Sequence, residues 1–267
     1  MDTNTVPNTT FPQNSQSTEP MMEDSAVLCE PIKSHIEDKT HIVIIADTSG
    51  SMEIMGTTPC RKLNGFIQEQ KGATFSCYTF EDEWKILFEN KSTEEAVISE
   101  LKTGGGTALY SSLCKIMDKT VEDISNIPET DKPTRVIFVI YTDGDENSSK
   151  GKYSGELGRL LVKSKIEDLQ SRNGWVFLFL GSNIDAEQNG TQIGIGRNAC
   201  LNYSSNEQGY EAVFRSASNA ISRARNSDTL HVTFTEQDRV ASMAPQDDDL
   251  SSRLHQPSML RCSSIAF

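Results

Sequence analysis

The sequence predicts an α/β fold in which a doubly wound, mostly parallel sheet carries helices on both faces and one antiparallel strand at its edge. Strand-like apolar runs alternate with helical patterns along most of the chain. This alternation is typical of parallel sheets, whose right-handed crossovers cover both faces. Polar residues follow directly after several runs, and one connection between two strand patterns is too short for a crossover. That connection predicts the antiparallel pair.

The first strand pattern is the apolar run 42–46, which is rich in β-branched residues and suits a central strand buried on both faces. Asp47, Ser49 and Ser51 follow on alternate residues. Gly50 lies between the two serines and permits a tight turn. We therefore expect three oxygen-bearing side chains to converge just past the carboxyl end of this strand, where open α/β sheets bind ligands.

Two further strand patterns follow a short amphipathic helix. The apolar residues of the helix, spaced i, i+3 and i+4, are Leu63, Phe66 and Ile67. Residues 73–80 and 84–88 then have strand character on either side of three acidic residues. So short a connection predicts an antiparallel hairpin at an edge of the sheet.

A run of three glycines separates two helical patterns. Residues 93–101 are predicted to form a helix, because Thr93 can cap its N-terminus and two glutamates follow near the positive end of the dipole. Gly106, the last glycine of the run, lets the backbone approach the strand ends, and Thr107 starts the next helix. The buried stripe of that helix is expected at Leu109, Leu113, Ile116, Thr120 and Ile124.

Asp143 lies at the carboxyl end of the strand pattern 135–142, and Asp145 follows two residues later. A helix is predicted over residues 154–172, closed by an Asn-Gly pair that suits a helix C-terminus. The side chains expected to face inward from this helix are Leu157, Leu160, Leu161 and Leu169.

The remaining elements complete the alternation. A buried strand is predicted over residues 175–180, and Asn183 lies in the loop after it, on the ligand-binding side of the sheet. A short strand near residues 200–203 and an amphipathic helix around residues 210–224 follow. Residues 229–235 alternate between apolar and polar, so they either add an edge strand or lack regular structure.

The composition predicts one folded domain between two tails. Residues 1–38 are rich in Thr, Asn, Gln, Ser and Pro and are predicted to be a disordered arm. Residues 39–235 form the domain, whose length is ample for a single α/β unit. Residues 236–267 are rich in Asp, Ser and Gln and are predicted to be a disordered tail.

The charge balance and the cysteines restrict the class of protein. Lys and Arg total 25 against 38 Asp and Glu, which gives a net charge of −13. Such acidity opposes binding to nucleic acid or to anionic membranes. The six cysteines show no C-x-x-C spacing, and no apolar run is long enough to span a bilayer. We therefore expect a cytoplasmic protein with reduced thiols, and the sequence does not specify its oligomeric state.

The strand-end residues have the chemistry of a site for a hard cation. Hydroxyls and carboxylates without thiolate or imidazole favour Mg²⁺, with Mn²⁺ as a possible substitute. The first loop alone offers too few oxygens, and the candidates for the rest come from other strand ends. The predicted metal-site residues are Asp47, Ser49, Ser51, Thr107 and Asp143.

Three motifs in order resemble the von Willebrand factor A domain and its metal-ion-dependent adhesion site. They are Asp47-x-Ser49-x-Ser51, Gly106-Thr107 and Thr142-Asp143-Gly144. The longer patterns Thr142-Asp143-Gly144-x-Glu146-Asn147 and Gly174-Trp175-x-Phe177 resemble the small soluble A-domain proteins of bacteria and phages, over residues of about 40 to 224. Three ordered motifs, each at a strand end or helix start, are far more specific than one.

The resemblance implies a Rossmann-like fold and a cation-dependent binding function without catalysis. Ser49, Ser51 and Thr107 would contact the ion directly, and Asp47 and Asp143 would act largely through bound water. An acidic side chain of a protein partner would fill the open coordination position. Further candidates for contacting the ligand or supporting the site are Gly106, Asp145 and Asn183.

Two alternatives stay open at this point. The chain could be a metal-dependent phosphohydrolase with Asp47 as nucleophile, although phosphohydrolases resembling haloacid dehalogenases carry a second carboxylate where this chain has Ser49. The domain could also be a scaffold with a vestigial site, since Asp, Ser and Thr are common turn and cap residues. Against an enzyme, no histidine lies at the carboxyl end of a predicted strand.

Overall fold

The computed structural model describes residues 39–226 and 231–243. These residues contain the strands β1 (Thr40–Asp47), β2 (Thr74–Phe80), β3 (Trp84–Ser92), β4 (Arg135–Thr142), β5 (Val176–Gly181) and β6 (Cys200–Asn202). They form one sheet in the order β3-β2-β1-β4-β5-β6. All neighbouring pairs are parallel except β2 and β3, which are antiparallel. The predicted fold class, with its single antiparallel edge strand, is confirmed.

Helices cover both faces of the sheet. They are α1 (Thr58–Glu69), α2 (Leu109–Ser125), α3 (Gly155–Asn173), α4 (Ala186–Gln192), α5 (Glu207–Arg225) and α6 (Glu236–Ser242). Apolar residues of α1 and α5 share one core with the sheet, and those of α2, α3 and α4 share the other. Among the described residues, no helix is both long enough and apolar enough to cross a lipid bilayer.

β1 lies at the centre of the sheet and is buried along its whole length. Ile42 and Ile44 face the core under α1 and α5, while Val43 and Ile45 face the opposite core. The chain winds away from β1 toward β2 on one side and toward β4 on the other. The loops after β1 and β4 therefore meet at the carboxyl edge, where the winding reverses.

The segment 93–101 is not helical, contrary to the prediction. Its polar groups bind to α1 and to the turn after it. Asn64 on α1 accepts a hydrogen bond from the backbone N–H of Ile98 (2.9 Å) and donates one to its carbonyl (2.8 Å). The Thr93 hydroxyl donates to the carbonyl of Gln70 (2.8 Å) instead of capping a helix. These long-range hydrogen bonds satisfy polar groups of the segment in an irregular conformation. The tertiary contacts therefore override the local preference for a capped helix.

The inward face of α3 also differs from the prediction. Leu157 and Leu160 are 57% and 46% exposed, whereas Leu161 is partly buried and Leu169 is buried. Gly158 explains why a different face of α3 is turned inward from the predicted one. A Cβ at this position would lie only 1.8 Å from the carbonyl oxygen of Tyr153, so only glycine allows this close approach. The helix therefore packs through the face that contains Gly158, Val162, Ile166 and Leu169.

The C-terminal part of the described chain, residues 231–243, also differs from the prediction. Residues 231–235 are not a strand, which favours the second of the two alternatives for this part of the segment. The composition predicts disorder from residue 236 onward, but residues 236–242 form α6. Thr235 and Asp238 form a reciprocal capping box at its start, and Asp238 also pairs with Arg223 of α5 at 3.1 Å. The cap and the ion pair stabilise a helix that composition alone does not indicate.

The predictions for residues 1–38, 227–230 and 244–267 lie outside the described residues.

Candidate metal centre

The loop after β1 curls back on Asp47. One oxygen of the buried Asp47 carboxylate, Oδ1, accepts a hydrogen bond from the backbone N–H of Ser49 at 2.7 Å. This bond turns the chain so that the hydroxyls of Ser49 and Ser51 lie 3.2 Å apart. The short 3-10 helix Gly50–Met55 continues from the turn. The alternation of Asp47, Ser49 and Ser51 thus produces the convergence that the sequence predicts.

The loop after β4 meets this turn through two side-chain hydrogen bonds. Ser51 Oγ donates to Asp143 Oδ1 at 2.6 Å, and Thr142 Oγ1 donates to Asp47 Oδ2 at 2.5 Å. Asp47, Ser49, Ser51 and Asp143 therefore form a single group, called here the oxygen cluster. Four of the five predicted metal-site residues lie in it.

Thr142 contributes to the site although it was not among the predicted site residues. The signal that could have identified it is the sheet register, in which β4 runs parallel to β1 with Tyr141 beside Ala46. The next residue of β4 is Thr142 and the next residue of β1 is Asp47, so these two residues lie side by side. The Thr142-Asp143-Gly144 motif contains the residue, but the motif alone does not tell which carboxylate its hydroxyl contacts.

Thr107, the fifth predicted residue, is buried two residues before α2 begins. Its backbone N–H donates to Asn147 Oδ1 at 2.8 Å, and its carbonyl accepts from the Asn147 N–H at 3.0 Å. A Cβ built on Gly144 would lie 3.3 Å from Thr107 Oγ1. The Thr107 hydroxyl therefore lies against the loop that carries Asp143.

The glycine run brings its backbone against the first loop, as predicted. Gly50 donates to the carbonyl of Gly105 at 3.2 Å, and Gly104 donates to the carbonyl of Thr48 at 2.9 Å. At Gly106 a Cβ would lie 1.8 Å from Ser148 Oγ, so a larger residue could not fit there without a shift. The Gly106 N–H itself donates to Asp82 Oδ1 at 3.2 Å. Gly106 thus supports the site through its small size.

Asp145 and Asn183 are not joined to the oxygen cluster. Both are exposed, and Asn183 adopts a left-handed backbone with φ of 57° in the loop after β5. Among the described residues, no hydrogen bond connects either side chain to the cluster. Their proposed contact with a ligand stays a prediction.

Burial sets the electrostatics of the two carboxylates. It raises the pKa of Asp47, and the hydrogen bonds from Thr142 and Ser49 only partly oppose this; the negative charge of Asp143 raises it further. Burial likewise raises the pKa of Asp143, against the hydrogen bond from Ser51. A bound divalent cation would stabilise the charged form of both desolvated carboxylates.

The donor set fits a small hard cation. Adjacent oxygens around octahedral Mg²⁺, with metal–oxygen bonds of 2.0–2.1 Å, lie about 2.9 Å apart. The hydroxyl oxygens of Ser49 and Ser51 lie 3.2 Å apart, close to that spacing. Within residues 39–226 and 231–243, no three His, Cys, Asp or Glu side chains are grouped to hold a metal ion. An ion at this edge would therefore depend on the hydroxyl oxygens.

Solved structures share this architecture. The vWF domain of the type V pili tip protein Mfa5 from Porphyromonas gingivalis is similar, with a TM-score of 0.51 and 10% identity, over 72% of this chain and 98% of that one. This chain has the von Willebrand factor A fold. The predicted resemblance is thus confirmed for the fold, and in this A fold the oxygen cluster lies at the carboxyl edge between the central strand and β4.

Two further structures are similar over less of their own length. The ArnB paralog VWA2 from Sulfolobus acidocaldarius is 18% identical with a TM-score of 0.47, over 68% of this chain and 45% of that one. A von Willebrand factor type A structure from Catenulispora acidiphila is 17% identical with a TM-score of 0.47, over 68% and 42%. This chain therefore spans less than half the length of either. No protein-family profile and no curated protein matches the chain.

Proposed function

We propose that the chain is a divalent-cation-dependent protein-binding module. Mg²⁺, or Mn²⁺ in its place, would bridge the site to an acidic side chain of a partner protein. The observation that carries this proposal is the contact between Ser51 and Asp143, which joins the ends of two neighbouring strands through oxygens 2.6 Å apart. The residues proposed to hold the ion are Asp47, Ser49, Ser51, Thr107 and Asp143.

The roles proposed within the site are those that the resemblance to the von Willebrand factor A domain implies. The hydroxyls of Ser49, Ser51 and Thr107 would coordinate the ion, while the buried carboxylates of Asp47 and Asp143 would supply negative charge, largely through bound water. When bound, the ion supplies a coordination position that a carboxylate oxygen of the partner fills. Because the protein oxygens are held on rigid strand ends, the bridge would tolerate little misplacement of that carboxylate.

We propose a binding role over catalysis because the described histidines lie away from this edge. His41 lies at the amino end of β1, the end opposite Asp47, where its Nδ1 is 2.8 Å from Thr74 Oγ1. His231 lines a groove that also includes Trp175, the residue before β5. A histidine that served as general base for a metal-bound water would have to lie near the ion, and neither described histidine has that position.

Asp47 is also poorly placed to act as the nucleophile of a phosphohydrolase. The side chain is buried, and both of its oxygens accept hydrogen bonds, one from the Ser49 N–H and one from the Thr142 hydroxyl. A nucleophilic carboxylate needs an oxygen free to approach phosphorus. The structure therefore favours a binding site over this alternative.

The proposed setting is the cytoplasm. The four cysteines in the described ranges, Cys60, Cys77, Cys114 and Cys200, are free thiols, which is compatible with a reducing compartment. The acidic net charge of −13 supports a protein partner over nucleic acid or an anionic membrane.

The test is capture of partners from the native cell by the immobilised full-length chain, with Mg²⁺ or with a chelator. We expect a partner that is lost on chelation and on Thr107→Ala, and is retained by Ser125→Ala at the exposed far end of α2. A partner captured equally with chelator would contradict the proposal. Mg²⁺-dependent hydrolysis of a phosphate ester that Asp47→Asn abolishes would instead support the enzyme.

A further inference from the structure

Asn147 binds the backbone of Thr107 at two points. Its side-chain oxygen accepts the Thr107 N–H at 2.8 Å, and its own N–H donates to the Thr107 carbonyl at 3.0 Å. We infer that Asn147 is the positioning residue that holds the Thr107 hydroxyl at the metal centre. This inference rests on the proposed function, in which Thr107 is one of the groups that hold the ion.

The neighbours of Asn147 hold the start of α2 in the same way. Glu146 Oε2 accepts the N–H of Tyr110 at 2.7 Å, and Ser149 Oγ accepts the N–H of Ser111 at 3.0 Å. The residue before the helix, Ala108, has no side chain able to cap it. Residues 146–149 therefore satisfy N–H groups that a local Ser, Thr or Asp satisfies in most helices.

The pair of hydrogen bonds between Asn147 and the backbone of Thr107, called here the clamp, couples Thr107 to the loop that carries Asp143. Asn147 lies four residues after Asp143 in the same loop, and Gly144 between them lies against the Thr107 hydroxyl. The absence of a side chain at Gly106 permits the approach, since a Cβ there would lie 2.9 Å from Asn147 Oδ1. Two oxygens contributed by different loops are therefore held as one unit before any ion arrives, which lowers the ordering cost of binding.

The chemistry of the clamp specifies which side chains can replace Asn147. The contact to the Thr107 N–H requires an acceptor two bonds beyond Cβ, which Asp also supplies and Ala does not. Asn147→Ala therefore removes the contact, and Asn147→Asp restores it. Asn126→Ala is the matched control, because it makes the same substitution at an exposed asparagine just past the far end of α2.

The experiment uses the full-length chain and two readouts. The first is amide hydrogen exchange at Thr107 without metal, and the second is Mn²⁺ affinity by electron paramagnetic resonance. We expect Asn147→Ala to speed exchange at Thr107 and to weaken Mn²⁺ binding by about tenfold or more, the usual effect of losing a residue that orients a metal ligand. Asn147→Asp is expected to restore the protection of the Thr107 amide, and Asn126→Ala is expected to match the wild type.

Unchanged exchange at Thr107 in Asn147→Ala would overturn the inference, as would faster exchange with unchanged Mn²⁺ affinity. Failure of the wild type to bind Mn²⁺ would instead contradict the proposed function. The exchange comparison would then still decide whether Asn147 positions Thr107, because it is made without metal.

Discussion

Ser51 Oγ donates a 2.6 Å hydrogen bond to Asp143 Oδ1, although the two residues are 92 positions apart in the sequence. The bond is possible because Ser51 follows β1 and Asp143 follows β4, and these strands are parallel neighbours. The fold thus brings together, at one edge, polar groups that short motifs specify separately.

The Thr142 hydroxyl is expected to stabilise the site through Asp47. Thr142→Val keeps the shape of the side chain but leaves one oxygen of a buried carboxylate without its 2.5 Å donor. We expect the free energy of unfolding to fall by about 1–3 kcal/mol, as for other buried acceptors that lose a partner. Urea denaturation at pH 7 measures it. Thr142→Ser keeps the donor and is expected to lose less; an equal loss in both variants would contradict the role of the hydroxyl.

Gly158 is expected to be required for the docking of α3. Gly158→Ala places a Cβ 1.8 Å from the carbonyl oxygen of Tyr153, so either the helix or the preceding turn must move. We expect a loss of about 2 kcal/mol or more in chemical denaturation. Gly65→Ala on α1 is the control, because nothing lies within 4 Å of a Cβ there. It is expected to gain about 0.5–1 kcal/mol from helix propensity, and a loss at Gly65 equal to that at Gly158 would contradict the argument.

His41 is expected to make the stability depend on pH below neutrality. Burial lowers the pKa of His41 from 6.5 to about 4, and the negative charge of Asp123, which raises this pKa, only partly opposes the effect. Between these two values the unfolded chain binds more protons than the folded one. The free energy of unfolding therefore carries no penalty from His41 above pH 6.5. It decreases as the pH falls from 6.5 toward 4, because protons then favour the unfolded chain.

His41→Asn is expected to remove this dependence, because asparagine does not titrate. Between pH 7 and 4 the wild type is expected to lose roughly 3 kcal/mol more than the variant, at 1.36 kcal/mol for each pKa unit. Urea denaturation across this range measures the difference. Parallel pH profiles of the two proteins would show that His41 does not have the lowered pKa.

Asp238 is expected to hold α6 on the domain. Its carboxylate completes the capping box with Thr235 and pairs with Arg223 at 3.1 Å. Asp238→Ala is expected to cost α6 about 1–2 kcal/mol of local stability, measured as faster hydrogen exchange of the α6 amides. Val240→Ala, at a residue 67% exposed on the same helix, is expected to change exchange little. Equal effects of the two substitutions would contradict the role of the cap.

Sequence reasoning succeeded where a long apolar run ended in a polar residue. Asp47 and Asp143 follow runs that are buried on both faces, so their place at the carboxyl edge depends only on strand direction. It failed at residues 93–101, where the conformation is set by the pairing of Asn64 with Ile98 across 34 positions. No local pattern encodes that contact.

At the site and on α3 as well, local patterns predict some features and miss those that depend on distant contacts. The position of Thr107 follows from the glycine run before it, but its clamp by Asn147 joins residues 40 positions apart. Helical spacing predicts Leu157 and Leu160 on the inward face of α3, but both are exposed. Close packing at Gly158 selects the face, and such packing is visible only in three dimensions.

Mn²⁺ titration of the full-length chain, followed by electron paramagnetic resonance, tests the central claim most directly. The account predicts one Mn²⁺ per chain, displaced by Mg²⁺, with an affinity that Ser49→Ala weakens by about tenfold or more, as removal of a metal-site residue does. Ser125→Ala is expected to bind as the wild type does. No specific Mn²⁺ binding by the wild type, or equal binding by Ser49→Ala, would contradict the claim that these strand-end oxygens hold a cation.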